Sequence, residues 1–281
     1  MPKTATFKST YKLYKNKVEP KILCNLQGLL GNLMFQIASV KSHCDRHNYT
    51  FEFGTFNNIH TNYPGKDLKL ASIYPYTIFS KINNQFNFVS SIERKHVNED
   101  HGLFYNLDFI EDGNYLLQGY FQNQNLFTKD EAKSYFSFNQ VFIPEELNKI
   151  LRNENCVSIH VRRTDYLHVS TVLPPLSLEY YYQALDEIKF YDKVLIFSDD
   201  LKWCKENFEI NNSIFIEENE LVSMKIMQNC KSNIIANSTF SWWGAYLNEH
   251  NKTIMPLQWF GPAVTEPRPL NHYKLDHWIA I

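Results

Sequence analysis

The feature that most constrains the fold is an alternation, in the second half of the chain, between short apolar runs and longer helix-like stretches. Apolar runs of this length, bounded by polar turns, are typical of buried strands. Helical connections between successive strands predict a parallel sheet covered by helices, which is an α/β fold. The runs lie at Cys156 to Val161, Lys193 to Phe197, Ser213 to Ile216, Asn233 to Ala236 and Thr253 to Met255.

The helices between these strands have recognisable signals of their own. Ser177 can cap a helix over Leu178 to Phe190, and Val222, Ile226 and Cys230 recur at helical spacing in the next one. In open α/β sheets ligands bind outside the carboxyl ends of the strands. The residues that directly follow each strand are therefore the first candidates for a functional site.

The first half of the chain is less regular. An apolar run from Lys21 to Leu26, a glycine-containing turn and an apolar-periodic stretch ending near His47 predict a strand, a tight loop and a helix. From Tyr49 to about Gln140 the sequence is aromatic and loop-rich, with a strand-like piece at Tyr115 to Phe121. A chain of 281 residues is long enough for about two domains. We predict an amino-terminal unit over 1–150 and a second unit over 151–281, with a cleft between them.

Composition excludes several classes of partner. The net charge of −2 offers no broad basic face, which argues against binding to nucleic acid. No run of about 18 apolar residues occurs, and the first residues are polar and Lys-rich. The sequence therefore predicts a cytoplasmic protein without a transmembrane segment. Its five cysteines are widely spaced and form no C-x-x-C pair, which indicates reduced packing residues. The sequence does not indicate an oligomeric state.

The first strand of the alternating half is followed by a pair of arginines and an aspartate, in the order His160, Val161, Arg162, Arg163, Thr164, Asp165. Adjacent side chains at a strand end point to different sides, and a nearby aspartate can orient one guanidinium through two hydrogen bonds. A guanidinium held in this way beside a crevice is a receptor for an anion. The other interpretation is a surface cluster of ion pairs.

Two further polar segments follow strands. Ser198, Asp199 and Asp200 can cap the next helix and also bond ribose hydroxyls. The segment from Asn237 to Gly244 begins a helix with small hydroxyl residues, and free N–H groups at such a terminus can bind phosphate. Helix capping and aromatic packing are the alternatives for both segments. If all three segments meet at one crevice, they suit a diphosphate.

The metal and nucleotide motifs that usually accompany diphosphate binding do not occur in this sequence. There is no Asp-x-Asp triplet to hold a divalent cation, no G-x-x-x-x-G-K-[S/T] loop and no complete G-x-G-x-x-G fingerprint. We therefore expect arginine to take the place of the metal, and no metal or cofactor. His43 and His47 are spaced like metal ligands, but histidines in the last turn of a helix are more often packing or cationic residues.

At these residues the chain resembles the alpha-1,2-fucosyltransferase family, part of a wider group of GDP-fucose-dependent enzymes. The resemblance implies a GT-B-like fold with two Rossmann-like lobes and a cleft between them. The carboxy-terminal lobe would hold GDP-fucose and the other lobe would face the acceptor. Four segments carry the match: GLLGNLMFQIA at Gly28 to Ala38, HVRRTDYLHV at His160 to Val169, FSDDLKWC at Phe197 to Cys204 and NIIANSTFSWWGAYLN at Asn233 to Asn248.

The resemblance also implies roles for individual residues. Arg162 would bind the departing β-phosphate with support from Arg163 and Asp165, and Asn32 would face the fucose and the acceptor. Ser223 stands where an acidic residue that reads guanine is usual. The substrate contacts expected in total are Gly31, Asn32, His160, Arg162, Arg163, Asp199, Ser223, Asn237, Ser238, Thr239 and Phe240.

The reaction implied is an inverting transfer of L-fucose from GDP-fucose to a hydroxyl of an acceptor glycan, such as the 2-hydroxyl of a terminal galactose. Asp165 and His168 are the candidates for a base, although a loose transition state could dispense with one. Two alternatives stay open: a transferase of the same fold that uses another nucleotide sugar, and a non-catalytic glycan-binding module. The glycine loop also departs from the family, with leucine at positions 29 and 33 where a glycine and a glutamine are usual.

Overall fold

Two parallel sheets organise the protein. The computed structural model describes residues 21–54, 73–86, 93–98, 107, 113–250, 252–265 and 267–281. The amino-terminal sheet has the strand order β2-β1-β4-β3, and each neighbouring pair is parallel. Its strands are β1 (Ile22–Asn25), β2 (Phe51–Phe53), β3 (Lys95–Asn98) and β4 (Tyr115–Gln118).

The carboxy-terminal sheet has the order β10-β9-β8-β5-β6-β7 and is also parallel throughout. The chain runs outward from β5 through β6 and β7, then returns to the other side of β5. A crevice therefore opens at the carboxyl ends of β5 and β8, where the strand order reverses. The strands are β5 (Cys156–Val161), β6 (Lys193–Ser198), β7 (Ser213–Phe215), β8 (Ser232–Ile234), β9 (Lys252–Met255) and β10 (Ile279–Ala280).

The five predicted strands of the second half are confirmed, with ends that differ by one or two residues. The short strand β10, which lies in the apolar run from Trp278 to Ile281, was not predicted. Seven α-helices accompany the strands in the described part of the chain: α1 (Leu30–His47), α2 (Lys129–Tyr135), α3 (Glu145–Asn153), α4 (Leu178–Ile188), α5 (Leu201–Asn207), α6 (Glu220–Asn229) and α7 (Thr239–Tyr246).

Local chemistry explains where the helices begin and end. The hydroxyl of Ser177 accepts a hydrogen bond from the Tyr180 N–H at the start of α4, as predicted. That helix ends two residues earlier than expected because Lys189 adopts a positive φ of 68°. Helix α1 ends at Asn48, which is also left-handed, with φ 54°.

Helix α7 joins the two halves of the molecule. The side chains of Trp242 and Trp243 are fully buried, and Phe35 of α1 packs 4.5 Å from the ring of Trp242. Gly31 permits this approach, because a Cβ at that position would lie 2.6 Å from the backbone N of Phe240. Since the main apolar core runs continuously through both halves, a division at residue 150 stays a prediction.

All five cysteines are buried and reduced, which agrees with their expected role in packing. Within the described ranges, no helix is both long and apolar enough to cross a membrane.

Candidate functional site

A cavity of about 630 Å³ lies between the two halves, at the carboxyl ends of β5 and β6 and the amino termini of α1 and α7. Its size is in the range of small-molecule sites. Most of the residues expected to contact substrate line it. They are Gly31, Asn32, His160, Arg162, Asp199, Ser223, Asn237, Ser238, Thr239 and Phe240. Asp165, one of the two candidates for a base, lines it as well.

Arg162 is held rigidly at the end of β5. Its Nη2 lies 2.7 Å from Asp165 Oδ2, and its Nε lies 3.4 Å from Asp199 Oδ2. Its guanidinium is also 5.7 Å from the ring centroid of Tyr166. Burial acts to lower the pKa of Arg162, but the hydrogen bond with Asp165 and the charge of Asp199 outweigh it and raise the pKa. A fixed, fully charged guanidinium therefore faces the cavity.

Asp199 holds the loop that carries this arginine. Its carboxylate accepts hydrogen bonds from the backbone N–H groups of Arg163, at 2.9 Å, and Thr164, at 3.1 Å, and from the Thr164 hydroxyl. Burial acts to raise the pKa of Asp199, but the charge of Arg162 and these hydrogen bonds lower it below its usual value. Asp199 stays ionised and braces the Arg162 loop.

The second arginine of the pair points elsewhere. The guanidinium of Arg163 stacks 3.7 Å from the ring centroid of Trp203, and its Nε lies 3.4 Å from Asp200 Oδ2. Arg163 does not line the cavity, and neither does His168, which is exposed at the end of the 3₁₀ turn Tyr166–His168. Of the two candidates for a base, the structure brings only Asp165 to the cavity.

The amino terminus of α7 forms another part of the cavity wall. Ser238 occupies the capping position, but its side chain makes no capping hydrogen bond. The first-turn N–H groups therefore have no side-chain cap and are suited to an anion. Phe240 packs against His160, with ring centroids 5.3 Å apart. Asn237 donates from Nδ2 to the backbone oxygens of Pro174, at 3.1 Å, and Trp259, at 3.0 Å.

Asn32 joins the two sides of the cavity. Its Oδ1 accepts hydrogen bonds from Gln122 Nε2 and from the Thr239 hydroxyl, both at 2.9 Å. Gln122 Oε1 in turn lies 3.2 Å from the Tyr273 hydroxyl and 3.4 Å from Arg268 Nη1. The network thus connects the helix that follows the glycine loop with the carboxy-terminal segment.

The sequence did not reveal several members of this site. Gln122 and Arg268 lie in segments without clear periodicity, and no motif singled them out. Glu218 and Glu220 line the same cavity as Ser223, whose hydroxyl donates to the backbone oxygen of Glu218 at 3.1 Å. These two glutamates lie just upstream of Ser223 in the sequence, which made them candidates to read the base in its place.

The histidine pair of α1 is not part of the cavity. The rings of His43 and His47 stack 4.2 Å apart, and His47 Nδ1 lies 2.9 Å from the backbone oxygen of His43. This geometry agrees with packing at the end of a helix.

Comparison with known proteins adds three findings. The chain matches the family described as Glycosyl transferase family 11 over residues 2–280. It is 32% identical over 297 aligned positions to an alpha-1,2-colitosyltransferase of Escherichia coli, an alignment that covers 92% of this chain and 98% of the relative. It is 30% identical over 128 positions to galactoside alpha-(1,2)-fucosyltransferase 2 of Pongo pygmaeus, covering 37% of this chain and 36% of that one.

Among solved structures, the fucosyltransferase NodZ from Bradyrhizobium is similar, with a TM-score of 0.50 and 12% sequence identity. The alignment covers 81% of this chain and 92% of NodZ. A likeness at this identity concerns the fold. With the two parallel sheets and the cavity between them, it confirms the predicted α/β fold of GT-B-like type.

Proposed function

Because this chain belongs to glycosyl transferase family 11, we propose that it moves L-fucose from GDP-fucose to a hydroxyl of an acceptor glycan. The acceptor position we propose is the 2-hydroxyl of a terminal sugar such as galactose. Family membership confirms the predicted enzyme class, a glycosyltransferase. The observation that carries the donor chemistry is Arg162, which Asp165 and Asp199 fix in the same cavity as the uncapped terminus of α7.

The chemistry follows from the charges that develop. As the bond between the anomeric carbon and the phosphate oxygen breaks, GDP leaves as an anion and positive charge grows on the sugar. A guanidinium already oriented toward that anion lowers the barrier without reorganising. The N–H groups at the start of α7 supply a second, weaker stabilisation of the same charge. We assign the counter-charge to these groups rather than to a metal ion.

The acceptor hydroxyl attacks the anomeric carbon from the side opposite GDP, so that a β-linked donor gives an α-linked product. Either a base removes the proton of that hydroxyl, or the proton is lost to solvent after the transition state. Asp165 is the better placed of the two candidates, because it lines the cavity and His168 does not.

A second donor is favoured by one observation, the relation to an alpha-1,2-colitosyltransferase along 92% of this chain. Colitose is L-fucose without the hydroxyl at C3. A site that hydrogen-bonds this hydroxyl rejects the deoxy sugar strongly, whereas an apolar wall discriminates only weakly. The non-catalytic alternative has less support, because both Arg162 and Asn32 lie in the cavity wall.

The test is a panel of GDP-fucose, GDP-colitose and donors with other bases, each combined with β-galactosides that carry or lack the 2-hydroxyl. We expect transfer from GDP-fucose, with mass spectrometry showing one added deoxyhexose and NMR showing an α-linkage at the 2-position. A product from GDP-colitose alone would show that the donor is GDP-colitose and not GDP-fucose. Transfer to the 2-deoxy acceptor would show that the 2-hydroxyl is not the position attacked.

We also propose a cytoplasmic location, which the five buried, reduced cysteines support.

A further inference from the structure

A row of hydrogen bonds crosses the cavity wall from the carboxy-terminal segment to α7. It runs from Arg268 to Gln122 Oε1, from Gln122 Nε2 to Asn32 Oδ1, and from the Thr239 hydroxyl to the same oxygen of Asn32. Gln122 is 8% exposed, and Tyr273, which also reaches its Oε1, is fully buried. Asn32, Thr239 and Arg268 are partly buried. With so many donors and acceptors in one row, each amide has only one favourable orientation.

The direction of the row is set at the arginine end. A guanidinium has donors and no acceptor, so the group of Gln122 that faces Arg268 must be the oxygen. Its NH₂ group is then directed at Asn32, which must present its own oxygen in return. If either amide were reversed, two donors or two acceptors would face each other, and a buried polar group would be left unpaired.

This direction decides what Asn32 offers to a substrate. With Oδ1 occupied twice, the remaining functional group is the Nδ2 donor. It forms no hydrogen bond with any residue in the described ranges, and it lies over Gly28, where an added Cβ would approach it to 2.5 Å. Asn32 therefore presents N–H groups and no free acceptor, which excludes it as the base for the acceptor hydroxyl.

We propose that Gln122 is a positioning residue that, with its direction set by Arg268, holds the Asn32 carboxamide so that its N–H groups face an oxygen atom of the reacting sugars. This inference rests on the proposed sugar transfer. It adds two residues from segments without a motif to the machinery of the reaction. Misplacing a contact by about 1 Å can cost about 10²-fold in rate, so the orientation of the Asn32 carboxamide should affect turnover.

The experiment compares three variants. In Gln122→Glu the ionised carboxylate can still accept from Arg268 and Tyr273, but it has no donor for Asn32. Gln122→Met has neither group at any pH. Gln124→Glu makes the same chemical change two residues away, on a side chain that does not line the cavity. The measurements are kcat and KM for both substrates between pH 5 and 8, together with the thermal unfolding midpoint of each protein.

We expect kcat of Gln122→Glu at pH 8 to fall between about tenfold and a hundredfold relative to Gln124→Glu, with smaller changes in KM. Because the charge of Arg268 favours the ionised form of the new carboxyl group, this deficit should persist from pH 8 to pH 5. Gln122→Met should stay low throughout. Equal kcat values for Gln122→Glu and Gln124→Glu, or a loss that appears in KM and not in kcat, would overturn the proposal.

Failure of the proposed function appears elsewhere in the same data. If the wild-type protein uses a nucleotide sugar other than GDP-fucose, the donor assignment is wrong, and the variants are compared with the donor that it does use. The inference about Gln122 is then decided by the ratio of the kcat values of Gln122→Glu and Gln124→Glu with that donor.

Discussion

The two sides of the cavity are built from different chemistry. At the strand ends of the carboxy-terminal sheet, Arg162 forms ion pairs with Asp165 and Asp199. On the facing side, Asn32 and Gln122 are neutral amides joined by hydrogen bonds. Charge attraction decays slowly with distance, whereas a hydrogen bond weakens steeply when its angle changes. We propose from this comparison that the charged side holds the anion and the neutral side orients the sugars.

The strongest test of the charged side uses its two adjacent arginines. Arg162→Ala should lower kcat by about 10² to 10³, which is typical for loss of one preorganised charge stabiliser. Arg162→Lys should recover little, because an ammonium lacks the planar fork of donors. Steady-state kinetics with a fixed donor and acceptor measure both effects.

Arg163 supplies the matched control, since it packs on Trp203 outside the cavity. Arg163→Lys should keep kcat within about threefold of wild type, because a cation at that position can still pair with Asp200 and pack on the ring. If the two lysine variants lose activity equally, the assignment of one arginine to substrate and the other to structure is wrong.

The neutral side depends on how closely α1 approaches α7. In Gly31→Ala the new Cβ meets the backbone of Thr239 and Phe240 at 2.6 Å, and overpacking of this kind costs about 1–3 kcal/mol. We expect a lower unfolding midpoint and about a tenfold loss of kcat, through displacement of Asn32. Circular dichroism melting measures the unfolding midpoint, and steady-state kinetics measure kcat.

Gly54→Ala is the comparison for that variant. Its added Cβ would meet Asn25 Oδ1 at 3.3 Å and lies outside the cavity wall. This variant should keep wild-type kinetics. Wild-type activity in Gly31→Ala would show that the contact between the helices does not align the site.

The next prediction concerns Ser223, which stands where an acidic residue that reads guanine is usual. It tests whether the nearby carboxylate of Glu218 takes that role. Glu218 lies beside Ser223, and its carboxylate forms no ion pair or hydrogen bond with the residues that the structure describes. A charge-assisted hydrogen bond is worth about 1.5 to 3 kcal/mol, so Glu218→Gln should weaken GDP binding about tenfold. Ser223→Asp should tighten it by less than this, because the new carboxylate would lie near Glu218 and Glu220.

Calorimetry with GDP, ADP and UDP on both variants measures this prediction. ADP and UDP affinities should change little in Glu218→Gln. A tenfold gain in Ser223→Asp with no effect of Glu218→Gln would show that no neighbouring glutamate compensates for the serine.

The smallest expected effect is that of metal removal. If Arg162 and the α7 terminus supply the counter-charge, activity should survive millimolar EDTA and should not rise when Mg²⁺ or Mn²⁺ is added. Loss of turnover with EDTA and its return with Mg²⁺ would contradict the role given to Arg162. The Arg163→Lys protein, treated in parallel, controls for effects of the chelator on folding.

The charged side of the cavity could largely be predicted from the sequence. The apolar runs at Cys156 to Val161 and Lys193 to Phe197 predicted strands of one parallel sheet, whose carboxyl ends lie at the same edge. Polar residues that follow such strands can then come together. This is why Arg162, Asp165 and Asp199 could be placed together before their distances were known.

The resemblance already pointed to Arg162 as the phosphate ligand. That Arg163 turns away from the cavity was visible only in the tertiary structure, because it depends on the packing of its side chain on Trp203. The same is true of Gln122 and Arg268. They are separated by 146 residues and meet through irregular segments, where no periodicity or turn signal predicts direction. Hydrogen bonds between such segments depend on how the whole chain packs, and local sequence does not encode that.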